Sequence, residues 1–202
     1  MNIAKREHWC RCYPADQQIP QLLRKVDAEI AAKVCQGGCL VCGGKLHRAN
    51  YPRKPRGLLA QEGQGNQSVY RDSFCCDQDD CRKRHTPPSV RFLGRKVYRG
   101  LVVVLVSAMR HGLNSKRLEV LRESLGMDRR TVERWRAWWL HTFAQSPFWQ
   151  AMRARFSPPL AAEDLPGELC EAFDLERRDR LLDLLKFLSP ITTDSIPWTW
   201  SG

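Results

Sequence analysis

Apolar positions recur at helical spacing in several stretches of the chain. After Pro20, the side chains Leu22, Leu23, Val26, Ile30 and Val34 fall on one face and predict an amphipathic helix. Leu118, Val120, Leu121 and Leu125 predict a second helix that stops at Gly126, a residue suited to a left-handed cap. Asp128 is then a good N-cap for a third helix from Arg129 to Leu140, in which Val132, Trp135 and Trp139 share one face. The run from Val97 to Met109 contains Val102, Val103 and Val104, which favour a strand by propensity. Its length and the need to cover Trp135 and Trp139 decide for helix. Leu181 to Leu188 is apolar over too wide an arc for a lone surface helix, so it is either core or a self-association surface.

The remaining segments lack such periodicity. Residues 35–90 are rich in Gly, Cys, Arg and Pro, and predict short strands and loops around a flexible stretch at Gln61–Gln67. Pro147, Pro158, Pro159, Pro166 and Pro190 divide the last third into short helices. The expected organisation is an N-terminal arm and amphipathic helix (1–34), a zinc-binding module (35–90), a helix-turn-helix unit (91–143) and a helical C-terminal segment for packing or partner contact (144–202). The expected fold class is mainly α with a small zinc-stapled β/loop module, an α+β arrangement.

The chain of 202 residues is 43% hydrophobic and 27% charged, an ordinary globular balance. Its longest apolar run, Leu101–Val106, is far below the roughly 20 residues that span a bilayer. No secretory leader is recognisable, so a cytoplasmic, nucleoid-associated protein without a membrane partner is expected. The net charge of +11 is concentrated in the middle: residues 43–106 carry thirteen basic against five acidic side chains, whereas 137–202 carry six against nine. Such a field recruits polyanions, above all phosphate backbones.

Nine cysteines without a secretory leader argue against a disulfide framework, and eight of them lie before residue 82. Cys170, among Leu169, Ala172 and Phe173, is expected to be an inert core thiol. The run Cys39-Leu40-Val41-Cys42-Gly43 is a knuckle in which two thiolates face one ion and the glycine supplies a positive φ. Cys76 and Cys81 complete a four-thiolate zinc site, with Cys75 as a competitor. If Cys75 and Cys76 end a strand they point to opposite faces, and one stays out. His47 and His85 are alternatives to a thiolate, and Cys35 could pair with Cys39, but four thiolates already close a tetrahedral shell, so the histidines are expected to be solvent-facing and Cys35 a packed thiol. Cys10 and Cys12, with Cys35 and His8, are candidates for a second site. No thioredoxin-like alternation of strands and helices surrounds the C-x-x-C, so redox use is not favoured.

Around the cysteines lie Lys45, Arg48, Arg53, Lys54, Arg56, Arg82, Lys83 and Arg84, with Tyr51 and Tyr70 interleaved. Zinc would hold these basic groups in a fixed arrangement where apolar residues are too few for a core. They form a phosphate-binding surface, and Arg can also read guanine edges.

The stretch Leu121 to Trp135, reading Leu-Arg-Glu-Ser-Leu-Gly-Met-Asp-Arg-Arg-Thr-Val-Glu-Arg-Trp, resembles the helix-turn-helix of bacterial resolvases, transposases and related regulators. The resemblance implies that Arg129, Arg130, Thr131, Glu133 and Arg134 face a DNA groove, and that Val132 is core. Arg136 adds charge to the same helix. The middle of the chain, from Cys39 through Thr86-Pro87-Pro88-Ser89-Val90-Arg91-Phe92 to this helix pair, looks like short zinc-ribbon plus helix-turn-helix proteins of bacterial mobile elements. That likeness covers roughly residues 35–143 and implies a DNA-binding role close to transposition or recombination.

Catalysis is not expected. The carboxylates after residue 160, from Glu163 to Asp183, lack the strands of a ribonuclease-H-like sheet and read as solvated helix faces. Tyr98 precedes the helical unit as a packing residue would, and no deaminase pattern is present. The expectation is therefore a zinc-stabilised protein that binds double-stranded DNA as an accessory or regulator of a mobile element. A homodimer or a recombinase or transposase partner is anticipated. An RNA-binding zinc-knuckle protein, stacking bases on Tyr51, Tyr70 or Phe74, is the alternative. An adaptor that recruits a recombinase through its C-terminal third, with Trp198 and Trp200 as docking candidates, is another.

Overall fold

The computed structural model describes residues 18–53, 69–92, 104, 128–175 and 178–193. The first element is helix α1 (Gln18–Gly37). It starts slightly before the sequence pattern predicts, because Pro20 falls in the first turn, where its missing N–H has no intrahelical acceptor in any case. The helix also runs past residue 34 and carries Cys35 on its last turn.

Five short strands follow: β1 (Leu46–Arg48), β2 (Tyr51–Arg53), β3 (Val69–Arg71), β4 (Phe74–Cys76) and β5 (Arg84–His85). They form two antiparallel sheets, one in the order β1-β4-β5 and the other a ribbon of β2 with β3. Leu46 lies opposite Cys76, and Tyr51 opposite Arg71. With strands of three residues or fewer, these sheets bury little of their own, so packing must come from α1 and the cysteines. Ala31, Val34 and Cys35 of α1 indeed pack against Cys39, Leu46, Phe74, Cys76 and Cys81.

The helical half begins at α2 (Arg129–Ala137). Asp128 caps it as the sequence predicts: its carboxylate accepts the Thr131 N–H at 2.7 Å. The helix then widens to a π-helical turn over Trp138–Phe143, closed by the Ala144 N–H donating to the Trp139 carbonyl at 3.1 Å. The widening brings Trp138, Trp139 and Phe143 inward together, with ring centroids of successive partners 4.9 and 4.6 Å apart. Helix α3 (Pro147–Met152) starts on the Ser146 hydroxyl, which accepts the Trp149 N–H. Helices α4 (Gly167–Ala172) and α5 (Arg178–Leu188) close the bundle, and a 3₁₀ turn, Ser189–Thr192, ends it.

Leu181, Leu184, Leu185 and Leu188 of α5 are buried, which places this wide apolar arc in the core. Cys170 is fully buried beside them. Val132, Trp135 and Trp139 point into the same core, as does Val104, the single described position of the stretch 97–109, which is helical. The expected helix over 116–126 lies outside the described residues, so only the second helix of the predicted helix-turn-helix is in view. Among the described residues no helix is long and apolar enough to cross a membrane.

Helix α1 belongs to both halves. Its N-terminal positions Ile19, Leu23 and Val26 pack into the helical core, while its C-terminal turns pack into the cysteine-rich core. Between them sits Asp27, only 1% exposed. Its carboxylate accepts from the Ser89 hydroxyl (2.6 Å), the Val90 N–H (2.7 Å) and the Arg91 Nε (2.6 Å). The Ser89 N–H in turn donates to the Thr192 hydroxyl at 2.9 Å, and Arg91 Nη2 donates to the Tyr70 carbonyl at 3.0 Å. Residues 89–92 thereby tie α1, the β2–β3 ribbon and the last 3₁₀ turn into one polar junction.

Candidate metal centre and basic surface

The first knuckle is built by backbone geometry. Gly43 adopts a φ of +73°, which side-chain-bearing residues rarely tolerate, and its N–H donates to the Cys39 carbonyl at 2.8 Å. The Cys39 N–H donates back to the Gly44 carbonyl at 2.8 Å, closing a turn that leaves Cys39 and Cys42 side by side. Gly44 is closely approached in its turn: a Cβ there would lie 3.0 Å from the Cys76 sulfur and 2.6 Å from Gln78 Cγ. Leu40 and Val41, at the tip, project into solvent at 87% and 66% exposure.

The second knuckle absorbs its wide four-residue spacing in a turn. The Cys81 and Arg82 N–H groups both donate to the Gln78 carbonyl, at 3.0 and 2.9 Å, and Arg82 takes a positive φ of 43°. This folds Cys81 back toward Cys76. Strand alternation separates the adjacent pair as expected: Cys76 faces inward, while the Cys75 thiol turns away to the Arg82 carbonyl at 3.3 Å.

The four sulfurs of Cys39, Cys42, Cys76 and Cys81 lie within 4.8 Å of one another, close enough for one metal ion to touch all four. Cys42 and Cys76 are 3.3 Å apart and Cys39 and Cys81 3.7 Å. Cys35 is separate, donating to the Leu46 carbonyl at 3.5 Å. Cys10 and Cys12 lie outside the described residues.

The thiols are electrostatically unequal. Burial acts to raise Cys39, but the Cys42 and Val41 N–H groups donate to its sulfur, the His85 imidazole hydrogen-bonds to it, and these bring it from 9.0 down to about 6. At Cys42 the Gly44 N–H acts downward, yet the Cys76 thiol and burial outweigh it and push the group up. Burial is the largest influence raising Cys76. At Cys81 the Lys83 N–H acts downward, but burial and the Cys42 and Cys39 thiols prevail.

The two histidines part ways. His47 is exposed and lies 3.8 Å from the Asp77 carboxylate. His85, expected to face solvent, instead places Nε2 3.2 Å from the Cys39 sulfur. The strand β5 that carries it is two residues long, too short to leave a periodic signature in the sequence, so pairing with β4 is what reveals its direction.

The basic residues fall into distinct environments. Lys45, Arg48, Lys83 and Arg84 are exposed, and Arg53 is half-buried. Arg82 pairs with Asp79. Lys54 and Arg56 lie outside the described residues. On α2, Arg130 and Arg134 are exposed, while Arg129 pairs with Glu133 at 2.7 Å and Arg136 is half-buried. Thr131, expected to face a groove, is instead 6% exposed, because it shares the inward face with Val132 and Trp135, and its hydroxyl accepts from Arg134 at 3.2 Å. Phe74, expected as a base-stacking ring, is buried in the cysteine-rich core.

Compared with protein-family models, curated proteins and solved structures, the chain matches none of them.

Proposed function

We propose that the protein is a zinc-stabilised double-stranded DNA-binding protein, acting as an accessory or regulatory factor of a mobile element. The four-sulfur cluster, set in a stretch of chain rich in basic residues, is the observation that carries this reading. A tetrahedral ion with metal–sulfur bonds of about 2.3 Å places sulfurs about 3.8 Å apart, and the Cys39–Cys81 pair stands at 3.7 Å. A closed set of four thiolates favours zinc in a structural role, with no open position for a substrate. Phosphate contact is supported by Lys45, Arg48, Lys83 and Arg84, which are exposed and lie close in sequence to the clustered cysteines. Groove contact is supported by Arg130 and Arg134, on the outward side of a helix whose opposite face is anchored by Trp135.

The test is duplex binding across a salt series, with zinc determined on the same sample. The reading expects about one zinc per chain and a steep fall of affinity with salt. Arg130→Ala and Arg134→Ala should reduce sequence preference more than baseline affinity. A zinc-loaded protein with no duplex affinity at low salt overturns the reading. Tyr70, 59% exposed on the β2–β3 ribbon, favours single-stranded RNA as the second reading. Competition between duplex DNA and single-stranded RNA separates the two.

A further inference from the structure

Tyr51 has the look of a base-stacking ring in the sequence, but in the fold its environment is cationic. The guanidinium carbon of Arg53 lies 4.7 Å from the ring centroid and that of Arg84 5.8 Å. Both are within cation–π range, and the two cations come from different strands, β2 and β5. Arg84 is further fixed by Nη1, which donates to the Ala49 carbonyl at 3.3 Å and the Ser73 hydroxyl at 3.4 Å. Arg53 Nη2 donates to the Tyr51 hydroxyl at 3.4 Å.

Three other arginines of this half have acceptors within the fold. Arg82 pairs with Asp79, Arg91 with Asp27 and Asp72, and Arg71 is buried against the Pro87 carbonyl. Among the described residues, no carboxylate pairs with Arg53 or Arg84. Two like charges held on one ring repel each other, and that repulsion is relieved by an anion placed between or beside them. A guanidinium has five N–H donors, so each retains free ones after these bonds. A planar fork of donors suits phosphate oxygens better than a point charge does.

We propose that Tyr51, Arg53 and Arg84 form a phosphate clamp for a nucleic-acid backbone, the ring serving to position the two guanidiniums and not to stack on a base. The clamp rests on the nucleic-acid-binding reading above and assigns part of the affinity to the strand module, remote in sequence from helix α2. It recognises phosphate, so it grips duplex and single strands alike and contributes nothing to sequence preference.

The test uses the full-length, metal-loaded protein and a labelled random-sequence duplex, with the matching single strand in parallel. Arg53→Gln and Arg84→Gln should each weaken duplex binding roughly tenfold at low salt, as expected for charge-assisted hydrogen bonds. The double variant should make the slope of log affinity against log salt shallower by about 0.9 for each phosphate that is no longer neutralised. Tyr51→Leu should weaken duplex and single strand by the same factor, since the ring acts through the arginines. Retained metal content and circular dichroism confirm folding, and the two arginine variants keep the test alive if Tyr51→Leu fails to fold. Wild-type binding with an unchanged affinity and slope in the double variant overturns the clamp and leaves the DNA-binding reading standing. Loss confined to single strands in Tyr51→Leu makes Tyr51 a stacking residue and also overturns it. A wild type that binds neither form overturns both.

Discussion

The carboxylate of Asp27 and the guanidinium of Arg91, 64 residues apart in sequence, meet at 2.6 Å in a site where Asp27 is almost completely buried. A charge in that position is tolerable because three donors converge on it at once, from Ser89, Val90 and Arg91. Removing Asp27 strands the buried Ser89 and Val90 donors and leaves Arg91 only its second carboxylate, Asp72 at 3.5 Å. Asp27→Ala should therefore destabilise the protein by about 3–5 kcal/mol in denaturant unfolding. Ser89→Ala, which removes one neutral donor, should have a smaller effect of about 1 kcal/mol. Equal and small effects for the two would contradict the junction described here.

Metal binding should follow the four clustered thiols alone. Serine at Cys39, Cys42, Cys76 or Cys81 should abolish tight binding, read as loss of the cobalt–thiolate absorption on titration. Cys75→Ser and Cys35→Ser should leave it intact, because those sulfurs bond to the Arg82 and Leu46 carbonyls. A chelator should also loosen the strand module, whose small core includes Cys39 and Cys76 themselves.

Gly44 offers a test that touches no ligand atom. An alanine Cβ would press on the Cys76 sulfur and on Gln78, so Gly44→Ala should lower metal affinity by about tenfold or more. Competition with a chromogenic chelator measures this directly, and unchanged affinity would contradict the close approach.

The metal-free protein should carry one unusually acidic thiol. Cys39 has a folded value near 6, lowered from 9.0, so its contribution to stability is complete above about 9 and is lost as pH falls through 6. Thiolate absorbance should show one group titrating near 6, ahead of the raised Cys42, Cys76 and Cys81. His85→Phe removes one hydrogen bond and should move that first step upward. In the metal-bound form, protons compete with the ion, and acidification should release it.

Local signals in the sequence carry much of this architecture. The apolar spacing from Leu22 to Val34 announces α1, the C-x-x-C-G run announces the first knuckle, and Asp128 announces the start of α2 at the position observed. What escapes is either long-range or too brief to be periodic. Asp27 lies on an otherwise helical pattern, and nothing local shows that its partners are 62 to 64 residues away. His85 sits on a two-residue strand. Trp138 and Trp139 lie on a π-helical turn, whose period differs from the 3.6 residues that a helical pattern assumes, so the sequence pattern does not reveal it. Thr131 is a different case: likeness to a groove-reading helix turns it outward, whereas its neighbours Val132 and Trp135 show that its side of the helix is the inward one.

Helix α1, shared between two cores, also sets an order of assembly. The four clustered cysteines fall between Cys39 and Cys81, so all of them are synthesised before the later helices. The other end of the same helix waits far longer: Ile19 and Val26 share their core with Leu188 and Ile191, and the 89–92 junction is completed only by Thr192, 103 residues beyond Ser89. A nascent chain therefore presents a half-docked helix, fastened at its C-terminal turns and bare along Ile19, Leu23 and Val26. That greasy strip is the part of the molecule a folding chaperone would hold, and the part by which an over-expressed, metal-starved chain would aggregate.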